Sequence, residues 1–248
     1  DYMAVSAKDF PVLKGRERAG APFTVFMAQP TQPTPSPIHI SFNYDVGDRN
    51  LRELSTNIEF RRAMEFLLDR DRIIDEVYNG LAIPGGGLVL PSNKAFYNAK
   101  IEDIMRPYNP QKANEILDKL GLKNRGRDGF RLFADGKRVE FTLTVANAPQ
   151  DHQDIALIFK EDLEKAGVKV NLQILDGALV GNMFGAGNFE AGIRAFGNQP
   201  DLELRKAIWQ PGTQLYYWHY STLDKDNLAA ITKNMTDWEK RLYVLFDM

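Results

Sequence analysis

The chain has 248 residues, of which 44% are hydrophobic and 26% are charged, and it contains no cysteine. This composition allows one large globular domain or two small ones, and it excludes disulfide bonds, thiolate metal sites and cysteine nucleophiles. The formal charge of −2, with basic residues interleaved among acidic ones, gives no reason to expect a nucleic acid partner.

The beginning of the chain predicts short elements around a linker. Residues 1–22 predict a short helix or strand, and Phe23 to Met27 predicts a strand. The segment AQPTQPTPSP, residues 28–37, contains four prolines, which lack a backbone donor and favour extended structure. We interpret it as a proline-rich linker. Residues 38–43, IHISFN, alternate as a half-buried strand should.

The stretch from Ser55 to Gly80 predicts one long amphipathic helix, with Asp69 as the place where it can bend. Ser55, Thr56 or Asn57 can cap its start, and Gly80 can close its end in a left-handed conformation. The apolar residues that recur at helical spacing are Ile58, Met64, Leu67, Leu68, Ile73, Ile74 and Val77. Charges of both signs occupy the other face, where a helix pairs them three and four residues apart.

The second half of the chain predicts alternating strands and helices. Asn109-Pro110 begins a helix that ends at Gly121, and two Asp-Gly turn dipeptides precede a strand. The predicted strands are 139–146, 168–175 and 189–196, with helices at 151–166 and 176–187 between them. Because this is the order of a parallel sheet with right-handed crossovers, the strands should share one sheet, with helix 151–166 on one face.

The order of residues between Ser55 and Gly80 resembles the signature of a known family. FRRAM, from Phe60 to Met64, is followed by LDRDRII, from Leu68 to Ile74, and then by Gly80 and Pro84. This order is similar to that of the oligopeptide/dipeptide-type solute-binding proteins of ABC importers, the extracellular solute-binding proteins of family 5. The resemblance covers roughly residues 36–209, and its further segments are Tyr108 to Leu122, Asp128-Gly129, Asp135-Gly136 and Ile155 to Val170.

The resemblance implies an α/β fold, a lobe like those of type II periplasmic binding proteins, with a mixed, mostly parallel sheet flanked by helices. Members of the family are about twice as long as this chain, so residues 1–248 are expected to form one lobe, the second, of a two-lobed protein. The first residues lack the basic-then-apolar order of a secretion signal. We therefore expect a periplasmic or cell-surface receptor whose signal peptide is absent from this fragment.

The candidate ligand-binding residues follow the carboxyl ends of predicted strands, where open α/β sheets place their ligands. One loop runs from Ala146 to His152 and another from Gly197 to Asp201. Each position has a structural alternative, since Asp151 can cap a helix and Asn198 and Gln199 can solvate a turn. With the resemblance included, the expected ligand-binding residues are His152, Phe196, Asn198, Gln199, Asp201 and Trp218.

The sequence leaves the ligand open between an oligopeptide and an oligosaccharide. Peptide-binding relatives commonly carry an aspartate after the last strand, where it can pair with a peptide's amino terminus. Here FGNQPD, from Phe196 to Asp201, has amides at that place, and an amide cannot replace a carboxylate facing an ammonium group. Amides together with Trp218 and nearby tyrosines suit sugars. The expected partner for either ligand is an ABC importer permease, and the receptor is expected to be a monomer and not an enzyme.

An enzyme remains the alternative from another class, namely an α/β hydrolase with paired carboxylates. The three histidines form no metal-binding motif. The glycines from Gly85 to Gly87 are not followed by the lysine and the serine or threonine of a phosphate loop. We therefore expect no metal, nucleotide or flavin cofactor.

Overall fold

A computed structural model describes residues 9–26, 38–82 and 107–195 of the chain. The linker that the sequence predicts at 28–37 lies outside the described residues. In chain order the helices and strands are α1 (Phe10–Arg18), β1 (Ile38–Phe42), α2 (Arg49–Thr56), α3 (Ile58–Phe66), α4 (Arg70–Tyr78), α5 (Pro110–Lys119), β2 (Glu140–Ala146), α6 (Gln150–Lys165), β3 (Lys169–Leu175), α7 (Gly177–Gly185) and β4 (Ala191–Ala195).

The described strands form one sheet in the order β1-β4-β2-β3. Strand β2 runs parallel to β3 and to β4, whereas β1 pairs antiparallel with β4. The prediction that 139–146, 168–175 and 189–196 share one sheet is confirmed, and each strand begins one or two residues later than predicted. The predicted α/β class with a mostly parallel sheet is confirmed as well.

Two opposite edges of this sheet matter for the site. The parallel strands end together at Ala146, Leu175 and Ala195, and Ile38 joins them because it pairs with Ala195. We call this side the carboxyl edge. The opposite side, where β2 and β3 begin, is the amino edge.

One face of the sheet carries the main apolar core. Phe42 of β1 contacts Phe60 of α3 and Phe141 of β2 edge to face, with ring centroids 5.6 and 5.4 Å apart. Helix α6 packs on β2 and β3, as predicted, and its Phe159 and Leu163 are buried in the same cluster. Truncating a core phenylalanine of this kind to alanine costs about 3–5 kcal/mol. The core therefore fixes α3 and α6 against the strands.

The other face of the sheet is covered in part by α7. Val180 and Phe184 of this helix form a small buried cluster with Phe189. A Cβ atom at Gly192 of β4 would collide with the Phe184 ring. The sequence therefore needs glycine at this position, because the ring rests directly on the backbone of the strand.

The prediction of one continuous helix from Ser55 to Gly80 is wrong. Within residues 49–78 the structure has three helices, α2, α3 and α4. Asn57 is extended (φ −79°, ψ 120°), ends α2, and caps α3 by accepting from the Glu59 N–H at 2.8 Å. Asp69 likewise caps α4. Capping side chains thus break the backbone helix while the apolar spacing continues through the breaks. Gly80 is left-handed (φ 72°), as predicted.

The predicted strand from Phe23 to Met27 is also wrong for the part that is described, residues 23–26. Instead, this segment folds back on α1. The Val25 N–H donates to Glu17 Oε2 at 3.2 Å, and Lys14 Nζ donates to the Val25 carbonyl at 2.8 Å. Side chains of α1 therefore occupy the backbone N–H and carbonyl of Val25, which a strand would have paired.

The amino edge is held together by a buried arginine, Arg131, whose side chain is 2% exposed. Its guanidinium donates to the carbonyls of Ala166 (2.8 Å) and Leu122 (2.7 Å), and to Asp118 Oδ1 and Asn114 Oδ1 at 2.6 Å each. These contacts tie the end of α5 to the turn that follows α6. The planar guanidinium suits this place because it holds several N–H donors in fixed directions, and buried acceptors need a partner.

Candidate functional site

Two helices begin at the carboxyl edge. Helix α6 begins four residues after β2, and α7 begins two residues after β3. The Asn147 N–H donates to the Leu175 carbonyl at 2.7 Å, which ties the two strand ends together. Gln153 Nε2 in turn donates to the Asn147 carbonyl at 2.7 Å. Asn147 therefore anchors the loop between β2 and α6, through its N–H to the end of β3 and through its carbonyl to the first turn of α6.

The two helix starts are capped differently. Asp176 accepts from the backbone N–H groups of Ala178 (2.9 Å) and Leu179 (3.4 Å) and so caps α7. Helix α6 has Pro149 at its N-cap, and the proline side chain makes no capping hydrogen bond. Asp151 is therefore not the cap that the sequence allowed. It lies in the first turn, where a carboxylate interacts favourably with the helix dipole.

Asp151 links the first turn of α6 to α4. The Tyr78 hydroxyl donates to Asp151 Oδ2 at 3.0 Å, and the His152 N–H donates to Asp151 Oδ1 at 2.9 Å. Burial raises the pKa of the Tyr78 phenol, and the Asp151 carboxylate raises it further. The phenol therefore remains protonated at neutral pH and keeps its role as a donor.

His152 is the one predicted site residue that falls within the described part of the chain. Its side chain is nearly buried, with 8% of the residue exposed. It begins the buried stripe of α6 that continues through Ile155, Ala156 and Phe159, so it lies where the core reaches the carboxyl edge. Burial lowers the pKa of its imidazole, and the Asp151 carboxylate opposes that shift. A neutral imidazole offers one donor and one acceptor.

The other predicted site residues, Phe196, Asn198, Gln199, Asp201 and Trp218, lie outside the described residues. Sequence reasoning assigned no role to Tyr78 or Arg194. Arg194 is the penultimate residue of β4, and its Cζ lies 4.5 Å from the centroid of the Phe184 ring. Its signal in the sequence is an arginine in the otherwise apolar run AGIRA, next to the end of a parallel strand. No local pattern marks the contact of Tyr78 with Asp151.

Two observations bear on the enzyme and metal alternatives. Among residues 9–26, 38–82 and 107–195, no three His, Asp or Glu side chains come together as a metal site would require. In the same part of the chain, the carboxyl groups with a displaced pKa are Glu17, Asp135 and Glu164, and hydrogen bonds or nearby lysines lower the pKa of each. A paired-carboxylate hydrolase needs one carboxyl pKa raised. The described residues therefore give that alternative no support.

No helix within residues 9–26, 38–82 and 107–195 combines the length and the apolar character needed to cross a membrane.

Comparison with known proteins gives concordant matches. The sequence matches the family model "Bacterial extracellular solute-binding proteins, family 5 Middle" over residues 1–226. It is 29% identical over 212 residues to the oligopeptide-binding protein AppA of Bacillus subtilis (strain 168), which covers 80% of this chain and 37% of AppA. It is 33% identical over 133 residues to the periplasmic alpha-galactoside-binding protein of Rhizobium meliloti (strain 1021), which covers 51% of this chain and 19% of that protein.

The fold gives a similar result. The structure of AppA in complex with a nonapeptide matches this chain with a TM-score of 0.67 and 25% identity, over 85% of this chain and 41% of the AppA chain. Structural neighbours are type II periplasmic binding proteins, as the resemblance implied. The chain thus spans less than half the length of these relatives.

Proposed function

Because the chain belongs to the bacterial extracellular solute-binding proteins of family 5, we propose that it is part of the receptor of an ABC importer and captures oligopeptides for transport. The observation that carries this proposal is the carboxyl edge. There the parallel strands end together and His152 lies in the first turn of α6, and open α/β sheets bind their ligands at such edges.

We further propose that residues 1–248 form one lobe of a two-lobed protein. The short share of each relative that the chain covers supports this division. The ligand would lie between the lobes, and its contacts with both would favour the closed state. The receptor acts as a monomer, outside the cytoplasm, at the periplasm or the cell surface, and delivers its ligand to an ABC importer permease. Its relatives are receptors and not enzymes, so the ligand is released chemically unchanged.

Within this lobe we assign the ligand contacts to His152, Phe196, Asn198, Gln199, Asp201 and Trp218. His152 has support from the described structure, because it is nearly buried at the carboxyl edge. A neutral imidazole in that place can exchange hydrogen bonds with a peptide backbone. The assignments of the other five residues, in the loop from Phe196 to Asp201 and at Trp218, rest on the sequence alone.

An oligosaccharide is the second candidate ligand. The amides of the loop from Phe196 to Asp201 favour it, and so does the match to an alpha-galactoside-binding protein. The match to the oligopeptide-binding protein AppA covers a larger share of this chain, 80% against 51%, and favours a peptide.

Native mass spectrometry of the full-length protein tests both candidates. The protein is incubated with a random library of free pentapeptides, or with a panel of neutral tri- and tetrasaccharides, and the retained compounds are weighed. We expect retained, uncleaved peptides, which His152→Ala reduces. If sugars but no peptides are retained, the ligand is an oligosaccharide and not a peptide. If neither class is retained, the receptor assignment is overturned.

A further inference from the structure

Tyr78 and Asp151 form a polar contact that spans 73 residues of the chain, with the phenol oxygen 3.0 Å from the carboxylate. Tyr78 is the last residue of α4, and Asp151 is the second residue of α6. The same carboxylate also accepts from the His152 N–H at 2.9 Å. One side chain therefore connects a distant helix to the backbone of a proposed ligand contact.

The first turn of α6 needs such an anchor for a physical reason. The first backbone N–H groups of a helix lack partners within the helix, and a helix end without a cap frays. Pro149 supplies no side-chain cap to α6. Fraying would move His152, because it lies in this turn and its ring occupies the last buried position before the carboxyl edge.

We propose that Tyr78 and Asp151 are positioning residues of the binding site. By joining α4 to the first turn of α6, they hold the His152 imidazole in the orientation that contacts the ligand. The inference rests on the proposed function, because it takes His152 as a ligand contact. Tyr78 itself acts through Asp151 and His152.

The charges around His152 make the pKa of its imidazole a readout of the positioning role, which a purely stabilising role of Tyr78 would not change. The groups that face it in the described elements are the Asp151 carboxylate of α6 and, through it, the Tyr78 phenol of α4, with Asp154 of α6 also acting on Tyr78. The phenol shields the Asp151 charge by donating to it. Tyr78→Phe removes that shielding and loosens the turn, and both effects raise the pKa of His152 toward its ordinary value. Asp151→Asn removes the negative charge and therefore lowers the pKa of His152.

The first experiment needs no ligand. The full-length protein is labelled with ¹³C-histidine and titrated by NMR, and His152→Gln identifies the resonance of His152. We expect the His152 midpoint to move up in Tyr78→Phe and down in Asp151→Asn. An unmoved midpoint in both variants would overturn the positioning role.

The matched control uses a second link between the same helices. Arg72 Nη1 lies 2.8 Å from Glu161 Oε2 and joins α4 to α6 away from the carboxyl edge. Glu161→Gln breaks that ion pair and leaves the first turn of α6 untouched. We expect no change in the His152 titration in this variant. A change equal to that of Tyr78→Phe would mean that any loosening of α4 against α6 suffices, and would overturn the specific role of Tyr78.

The second experiment uses one synthetic pentapeptide chosen from those that the wild-type protein retains. Calorimetry should show that Tyr78→Phe weakens its binding about 3- to 10-fold, the net value of one hydrogen bond, while Glu161→Gln binds as the wild type does. A shifted titration with unchanged affinity would overturn the assignment of His152 as a ligand contact. An unshifted titration would overturn the positioning role alone, so the two failures are distinguishable.

Discussion

The amino edge and the carboxyl edge of the sheet satisfy their polar groups in different ways. At the amino edge the protein supplies every partner of Arg131, namely two backbone carbonyls and the side chains of Asp118 and Asn114. At the carboxyl edge α6 begins without a side-chain cap, and the nearly buried His152 lies beside it. Polar groups that the protein closes off serve stability, whereas side chains at the edge where open α/β sheets bind ligands can contact a ligand. Substitutions at the two edges should therefore affect different measurements.

The largest effect on stability is expected at the amino edge. Arg131→Met takes the Arg131 donor from the buried Leu122 carbonyl and leaves the Ala166 carbonyl with Arg125 Nη2 alone. It should cost about 3 kcal/mol of the free energy of unfolding. Urea unfolding measures the loss. Arg138→Met is the control, because the Arg138 side chain is 40% exposed, and it should change stability by less than about 0.5 kcal/mol. Equal losses in both variants would mean that the burial of Arg131 has no special value.

A smaller loss of stability is expected at Gly192, the second residue of β4. Gly192→Ala forces a Cβ into the Phe184 ring, and overpacking of this kind costs about 1–3 kcal/mol. Phe184→Leu in the same chain should recover part of that loss. Gly181→Ala in α7 is the control, since a Cβ there meets nothing within 4 Å, and a helix gains up to about 1 kcal/mol from the exchange. Destabilisation by Gly181→Ala would contradict the packing assigned to α7.

The smallest effect is the pH dependence contributed by His152. Burial lowers the pKa of its imidazole in the folded protein below the ordinary value of 6.5. Between these two values the unfolded chain binds a proton that the folded chain does not, so stability falls as the pH falls through about 6.5 and levels off below the folded pKa. Urea unfolding at several pH values should show a weaker slope in this window for His152→Gln. An unchanged slope would show that the imidazole titrates normally.

The sequence predicted what is local. The cap at Asn109, the alternation in VEFTLTV and the apolar stripe of α6 depend on neighbours in the chain, and the structure confirms these elements. The breaks at Asn57 and Asp69 were misjudged, because capping side chains and apolar spacing gave opposite signals in one stretch. Residues 23–26 failed as a strand because a strand needs a partner that the sequence does not reveal.

The site was predicted less completely, for the same physical reason. His152 follows a parallel strand, and that rule depends on strand order alone. The Tyr78–Asp151 contact joins residues 73 positions apart, and only the packing of α4 on α6 brings them together. The burial of Arg131 was equally invisible, since an arginine beside an Asp-Gly turn is typical of an exposed loop.

The central claim is that ligand binds at the carboxyl edge. Hydrogen–deuterium exchange on the full-length protein, with and without a retained pentapeptide, tests it most directly, because backbone amides near the ligand lose exchange when it binds. We predict protection at 147–153 and 176–179, and none at 124–138 by the amino edge. Protection confined to 124–138, with exchange at 147–153 unchanged, would contradict the account.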